Sequence, residues 1–81
     1  MPPNATDVFE VVKRTTLEVL PELPPDAVTP DGNLTDLGAN SIDRADIVAI
    51  AMEELAITVP VGEFQAVHDI GSLVAVLQKH V

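Results

Sequence analysis

Ser41 stands between a turn-rich segment and a long apolar segment, next to the amide of Asn40 and close to the carboxylate of Asp43. A serine nucleophile needs a base to take its proton and hydrogen-bond donors to hold an oxyanion. The nucleophile-elbow pattern G-x-S-x-G is absent here, and the only imidazoles are His68 and His80, in or beside short helical segments. We expect both histidines to be surface residues, so the sequence predicts no hydrolytic triad.

Metal binding is disfavoured by the same inventory of residue types. The chain has no cysteine and two histidines, which leaves neither a thiolate nor an imidazole cage for a metal ion. A calcium loop that began at Asp31 would place Asp36 where an EF-hand requires glycine and Ile42 where it requires glutamate. The sequence therefore predicts no metal site.

The position of Ser41 favours a third kind of chemistry. Asn40 and Ser41 are both residues that begin helices, and the first turn of a helix offers free backbone N–H groups and the positive end of the helix dipole. Such a place binds phosphate. A phosphodiester that another enzyme attached to Ser41 would be stabilised there by roughly 0.3 to 1 kcal/mol. The alternative is that Ser41 only caps the helix.

Helical patterns and a long loop must position this serine. A first helix is predicted between Asn4 or Thr6, which can cap it, and Pro21, which interrupts its apolar spacing. Residues 21–40 contain four of the seven prolines and the turn signal Pro-Asp-Gly, so we expect an irregular loop. Its apolar side chains argue against disorder and should anchor it to the core; they are Leu23, Ala27, Val28, Leu34 and Leu37.

Helix two begins at Asn40 or Ser41 and is predicted to run to about Ala56. A short third helix or turn is expected around residues 63–67, because a proline and a glycine lie just before it. Asp69 should cap a last helix. The pattern indicates a helical bundle.

Composition limits the size of the core and the choice of partners. The 81 residues should form one domain, residues 1–81, with a small aliphatic core. A formal net charge of −9 repels nucleic-acid phosphates and anionic lipid surfaces, so neither is expected as a partner. No apolar run is long enough to span a membrane and the first residues do not resemble a leader, so we expect a cytoplasmic protein.

Helix two carries more apolar surface than one packing face needs. Its two apolar stripes cover roughly 220° of the circumference, whereas a surface helix needs about 100°. One stripe contains Ile47, Val48, Ala51 and Leu55, and the other contains Ile42, Ala45, Ala49, Met52 and Ala56. Either the helix is fully buried, or one stripe packs inward while the other is available to partner proteins, and periodicity alone does not decide.

The segment DLGANSID, the apolar helix after it and the pair Val59-Pro60 resemble an acyl carrier protein. The similarity covers almost the whole chain, including the loop ending in Asp36-Leu37-Gly38 and the closing helix introduced by DIGSL. The resemblance implies an all-α fold, a small four-helix bundle with a long loop between helices one and two and a short third helix. In this family a serine carries 4'-phosphopantetheine, which a phosphopantetheinyl transferase attaches from coenzyme A. Ser41 is thereby implied as the attachment site.

The resemblance also implies which stripe faces partners, because partner enzymes of carrier proteins dock on the loop and on the second helix beside the serine. The implied partner-binding residues are Asn40, Ile42, Asp43, Arg44, Ala45, Asp46, Ala49 and Met52, with Glu53 as a further acidic flank. The other stripe, with Ile47, Val48, Ala51 and Leu55, would then be core. Acidic flanks suit basic patches on enzymes, which speed encounter more than they tighten binding.

The string GANSIDRADI is similar to a narrower group, the freestanding donor carriers of β-branching cassettes in polyketide pathways. These carriers present acetyl, or sometimes propionyl, to a 3-hydroxy-3-methylglutaryl-type synthase. The other implied partners are a decarboxylating ketosynthase-like enzyme and an acyltransferase. Asn40 departs from the family, which usually has aspartate before the serine, and this leaves open which transferase modifies the protein.

Arg44 is a base in the first turn of a helix, where the dipole mildly disfavours it. One hypothesis is that Arg44 marks the carrier for its synthase and separates donor from acceptor carriers. The alternative is a solvated arginine paired with Asp43 or Asp36, which contributes little to stability.

Three functions therefore remain. The favoured one is a carrier of acyl groups in polyketide β-branching. The second is an acyl or aminoacyl carrier of another fatty-acid, polyketide or peptide pathway, and the third is a helical interaction protein that is never modified. None of the three is an enzyme, and a monomer is expected because the exposed apolar stripe is narrow and bordered by charge.

Overall fold

The computed structural model describes residues 4–81, apart from the side chain of Ala5, and this part of the chain contains helices and no strand. The α-helices are α1 (Ala5–Val19), α2 (Ser41–Leu55) and α3 (Ile70–Gln78). Two 3-10 helices are also present, Pro25–Ala27 within the long loop and Val61–Ala66 between α2 and α3. We call Val61–Ala66 the short helix. The four helices of the bundle are α1, α2, the short helix and α3. The predicted four-helix bundle with a long loop and a short third helix is confirmed.

Each α-helix begins at the kind of residue that the sequence indicates. The Asn4 side chain accepts from the backbone N–H of Asp7 at 2.9 Å, and Asp69 accepts from that of Ser72 at 2.6 Å. Both ends are capping boxes, in which the residue three positions later bonds back to the cap. The last helix therefore starts at its predicted cap, Asp69.

The core lies between α1, α2 and α3 and is aliphatic. α1 packs against both of the other α-helices. The buried apolar residues are Val8, Val12, Val28, Leu34, Ala39, Ile47, Ala51, Val59, Ile70, Leu73, Val74, Val76 and Leu77. Thr16 is also buried, and its hydroxyl donates to the Val12 carbonyl at 2.7 Å, which satisfies the polar group inside the core.

The long loop is tied to α3 as well as to the core. Among its predicted anchors, Val28 and Leu34 are buried, while Leu23, Ala27 and Leu37 are half-buried. The first N–H groups of α3 donate to loop carbonyls, Ile70 to Gly32 at 2.8 Å and Gly71 to Pro30 at 2.9 Å. A Cβ on Gly71 would lie 3.1 Å from the Pro30 carbonyl oxygen, so this close approach favours glycine.

Within residues 4–81, no helix is both long enough and apolar enough to cross a membrane.

Candidate functional site

Asn40, and not Ser41, caps α2. The Asn40 side-chain oxygen accepts from the backbone N–H of Asp43 at 2.8 Å, and the Asp43 carboxylate accepts from the backbone N–H of Asn40 at 3.3 Å. Ser41 is therefore the first helical residue. Of the two helix starts that the sequence allowed, the structure selects Asn40 as the cap, and the interpretation of Ser41 as a mere cap is wrong.

The Ser41 hydroxyl is free to react. Ser41 is exposed, and within residues 4–81 its hydroxyl makes no hydrogen bond. The chain's other serine, Ser72, is half-buried. The Ser72 hydroxyl accepts from the backbone N–H groups of His68 and Asp69, both at 3.0 Å, and donates to the Asp69 carbonyl at 2.9 Å. Of the two serines, Ser41 is therefore the one that combines exposure with an unoccupied hydroxyl.

The loop that leads to Ser41 is ordered by its own hydrogen bonds. The Asn33 side chain donates to the Asp36 carboxylate at 2.9 Å and accepts from the Asp36 backbone N–H at 2.8 Å. Gly38 then has a φ of 100°, in the region that favours glycine, and Ala39 is buried beside α2. The chain thus turns sharply and enters the helix with a fixed direction.

Arg44 contacts this loop. Its Nη1 donates to the Thr35 hydroxyl at 3.1 Å and to the Ala39 carbonyl at 3.0 Å. No ion pair joins Arg44 to Asp43 or Asp36, so the expected alternative of a solvated pair with one of these carboxylates is wrong. Arg44 is half-buried against the loop, and the two oxygen acceptors there satisfy its guanidinium.

The two stripes of α2 separate for the most part as the resemblance implies. Ile47 and Ala51 are fully buried, and Leu55 packs against the core. Ile42 is 70% exposed, and Ala45 and Ala49 are exposed. Helix two is therefore not fully buried, and an apolar stripe beside Ser41 reaches the surface.

Met52 departs from that division. It was expected on the partner-facing side but is half-buried and packs against the core, as Val48 and Leu55 of the core stripe also do. Val48 and Met52 line a cleft of about 680 Å³ together with Ala45 and Ala49. The stripe that faces outward thus borders a cleft instead of a flat surface.

The opposite wall of this cleft comes from the short helix and the residues before α3. Apolar side chains line its interior, and Asp36, Arg44, His68 and Asp69 are among the polar residues at its border. The wall residues outside α2 include Leu34, Val59, Val61, Phe64 and Val67. This cleft was not predicted from the sequence. The signal that could have indicated it is the apolar pair Val61 and Phe64, which lie three residues apart just after a proline.

Glu63 ties the short helix to the end of α3. Its carboxylate lies 2.9 Å from Lys79 Nζ and 2.8 Å from His80 Nε2. Hydrogen bonds from Lys79 and then His80 hold the pKa of the Glu63 carboxyl below its usual value, although partial burial opposes them. The expectation that both histidines are surface residues holds for His68, whereas His80 is half-buried in this ion-pair cluster.

Asp69 is a second carboxyl whose pKa lies below its ordinary value. The side chain and backbone N–H of Ser72 lower the pKa of the Asp69 carboxyl, which caps α3. Within residues 4–81, no group of three potential His, Asp or Glu ligands could hold a metal ion.

Known proteins match this chain in both sequence and fold. Residues 10–77 match the family described as Phosphopantetheine attachment site, a range that includes both serines. The polyketide biosynthesis acyl-carrier-protein AcpK of Bacillus subtilis (strain 168) is 40% identical over 74 residues, which cover 91% of this chain and 90% of that protein. The crystal structure of the Curacin biosynthetic pathway HMG synthase in complex with acetyl donor-ACP contains a chain that matches with a TM-score of 0.86. The identity is 30%, over 95% of this chain and 99% of that chain.

The chain therefore belongs to the phosphopantetheine-attachment family. The predicted resemblance to acyl carrier proteins of polyketide biosynthesis is confirmed, and its prosthetic group is 4'-phosphopantetheine. Proteins of this kind are generally carriers and not catalysts. An exposed, unbonded hydroxyl at the start of α2 fits the attachment of such a group.

Proposed function

We propose that Ser41 is the residue to which phosphopantetheine is attached. The observation that carries this proposal is the division of tasks at the start of α2, where Asn40 caps the helix and the Ser41 hydroxyl remains exposed and unbonded. A phosphopantetheinyl transferase would form a bond between the Ser41 oxygen and the phosphorus of phosphopantetheine. The pyrophosphate bond of coenzyme A would break, adenosine 3',5'-bisphosphate would leave, and the hydroxyl proton would be released. The free N–H groups of the first turn and the helix dipole favour the resulting negative charge.

Mass spectrometry after incubation with coenzyme A and a broad-range transferase tests the attachment residue. We expect wild-type protein to gain one phosphopantetheine and Ser41→Ala to gain none. Ser72→Ala is the matched control and should still be modified, because the Ser72 hydroxyl is engaged at the start of α3. Modification of Ser41→Ala would mean that the group is attached at another residue, and an unmodified wild type that is folded would favour a helical interaction protein. Either result contradicts the proposal.

We further propose that the group carried on this arm is acetyl, or propionyl, presented to a 3-hydroxy-3-methylglutaryl-type synthase for polyketide β-branching. The support is the likeness, at 30% identity and over nearly the whole chain, to a chain from the complex of the Curacin pathway HMG synthase with acetyl donor-ACP. The thioester sulfur belongs to the arm, which agrees with a chain that has no cysteine. Phosphopantetheine supplies the thiol, and the protein supplies the attachment point and the surface that the enzymes bind.

The partner-binding surface in this proposal comprises Asn40, Ile42, Asp43, Arg44, Ala45, Asp46, Ala49 and Met52. Its support is the 70% exposure of Ile42 together with exposed Asp46 and Glu53 beside the apolar stripe. An exposed apolar anchor bordered by carboxylates suits a partner with an apolar pocket and basic rim. The same surface would serve a transferase, a decarboxylating ketosynthase-like enzyme and an acyltransferase in turn, with the protein acting as a cytoplasmic, monomeric carrier and not as an enzyme.

A condensation assay separates this pathway from the alternatives. The acetylated protein, a 3-hydroxy-3-methylglutaryl-type synthase and a β-ketoacyl acceptor carrier should give the branched product, and a fatty-acid carrier loaded with acetyl should react far more slowly. Equal rates for both donors would contradict the β-branching assignment and favour the second function, a carrier of another fatty-acid, polyketide or peptide pathway. Attachment at Ser41 would stand in either case.

A further inference from the structure

The Arg44 side chain points back along the chain toward the residues that come before Ser41. Arg44 is the fourth residue of α2, and its Nη1 donates to the Thr35 hydroxyl and the Ala39 carbonyl. We call residues 35–39 the approach segment. One nitrogen atom of α2 thus bonds to both ends of the approach segment, which is followed directly by Asn40 and Ser41.

The approach segment has few other connections to α2. Its backbone bonds are local, from the Gly38 N–H to the Thr35 carbonyl and from the Ala39 N–H to the Leu34 carbonyl, both 3.0 Å long. Thr35, Asp36 and Gly38 are exposed. In the described part of the chain, Arg44 is the one α2 side chain that donates a hydrogen bond to this segment. Leu37 packs against the core and Ala39 is buried, so apolar contacts also hold the segment, and Arg44 supplies the side-chain hydrogen bonds that join it to α2.

We propose that Arg44 is a positioning residue, which holds the approach segment against α2 so that the loop and the Ser41 hydroxyl form one fixed surface for the transferase and later partners. The proposal rests on Ser41 being the attachment residue. In this proposal Arg44 acts through the loop, and partner proteins do not recognise its charge.

The geometry explains why an arginine is tolerated at this place. The helix dipole disfavours a cation in the first turn of a helix, and the two oxygen acceptors offset that cost. A guanidinium holds its donors in a rigid plane, whereas a lysine would offer one flexible ammonium group. A hydrogen bond from a charged donor changes the equilibrium that it stabilises by about tenfold or more.

Amide hydrogen exchange in the unmodified protein tests the positioning role directly. The reporters are the amides of Leu37, Gly38 and Ala39, which bond only within the loop and exchange when it opens. Arg44→Gln should speed their exchange about tenfold, and Thr35→Val, which leaves the Arg44 charge in place, should speed it less. In the double variant the Thr35 change should add nothing further, because its partner is already absent.

The control variant for exchange is Arg14→Gln, which removes the other arginine of the chain, an α1 residue that pairs with Glu54 of α2. It should leave the three reporter amides at wild-type rates. If Arg44→Gln exchanges within twofold of wild type at these amides, the positioning role is overturned. This measurement does not require Ser41 to be modified, so it stands even if the attachment proposal fails.

Transferase kinetics separate positioning from recognition of the Arg44 charge. If positioning is correct, Arg44→Gln and Thr35→Val both raise the KM for the protein, by about twofold or more for Arg44→Gln, with kcat unchanged. The reason is that fewer molecules present the loop in the binding geometry. A KM that rises in Arg44→Gln but not in Thr35→Val would show that the transferase recognises the Arg44 charge. An unchanged KM in both variants would show that the transferase does not recognise the loop. Either result overturns the proposal.

Discussion

At the scale of single residues, the site depends on two neighbours that have different tasks. Asn40 forms the capping box with Asp43, and Ser41 presents its hydroxyl to solvent. The usual aspartate of the family could cap the helix in the same way, since asparagine and aspartate are about equally good caps. The departure at Asn40 therefore changes the charge beside the serine without changing the start of the helix.

Substitutions at position 40 should reveal this division of tasks. Asn40→Ala removes the capping oxygen and should lower the free energy of unfolding by about 1 kcal/mol, whereas Asn40→Asp should stay within about 0.5 kcal/mol of wild type. Urea denaturation followed by circular dichroism measures both. A loss of stability in Asn40→Asp equal to that in Asn40→Ala would mean that the amide, and not the capping oxygen, stabilises α2.

The start of α2 could be predicted from the sequence to within one residue, because asparagine, serine and aspartate fall together there. Both Asn40 and Ser41 are good capping residues, and what selects Asn40 is the reciprocal bond with Asp43, three residues later. The partners of Arg44 were beyond sequence patterns altogether. One of them is the Ala39 backbone carbonyl, and its direction depends on the left-handed turn at Gly38.

At the scale of elements, an ion-pair cluster at Glu63, in the middle of the short helix, ties this helix to the end of α3. Glu63 bonds to Lys79 and His80, which follow the last residues of α3. Val61 and Phe64 of the same helix line the cleft beside α2. Glu63 thus ties down the helix that carries two residues of the cleft wall.

The Glu63 carboxylate should stabilise the protein in a pH-dependent way. Its folded pKa lies below the ordinary value of 4.5, so its contribution is fully present above that value and is lost as the pH falls through the folded pKa. We expect Glu63→Gln to lower the Tm at pH 7, and the difference from wild type to shrink progressively below about pH 4.5. Thermal unfolding of both proteins between pH 7 and 3 measures this.

Gln65→Ala, an exposed change on the same short helix, is a suitable control and should leave the Tm nearly unchanged. A difference between Glu63→Gln and wild type that stays constant from pH 7 to 3 would contradict the ionic role of Glu63.

The sequence predicted the short helix around residues 63–67, close to its observed range. The ion-pair cluster was not predictable, because Glu63 and His80 are 17 residues apart and meet only through the packing of α3.

At the scale of the whole molecule, stability comes from a small aliphatic core to which α2 contributes few fully buried side chains. Ile47 and Ala51 are completely inaccessible to solvent, whereas Ile42 of the same helix is 70% exposed. The two isoleucines thus belong to different parts of the protein, one to the core and one to the proposed partner surface.

The two isoleucines make a matched pair for a stability experiment. Ile47→Ala should cost about 2 to 5 kcal/mol because it leaves a cavity in the core, a large share of the total for so small a domain. Ile42→Ala should change the free energy of unfolding by no more than about 0.5 kcal/mol. Denaturant titration of both variants decides, and equal losses would mean that α2 is buried on both sides.

The fold class could be predicted because helix caps, proline positions and apolar spacing all indicate the same bundle. The cleft could not be predicted, since its volume depends on how the short helix stands off from α2. Helical spacing put Val48 and Met52 in different stripes, and the resemblance assigned Val48 to the core and Met52 to the partner-facing side. In the folded protein both lie at the boundary, because the opposite wall does not close over them.

The hydrogen bonds from Ile70 and Gly71 to the loop have a consequence for how the protein matures. The carbonyls of Gly32 and Pro30 gain their partners only when α3 is in place, and α3 is synthesised after the serine. On the ribosome, a nascent chain that has just exposed Ser41 therefore still has an unfinished loop. Residues 30–32 therefore reach their folded arrangement only after the last helix has been translated.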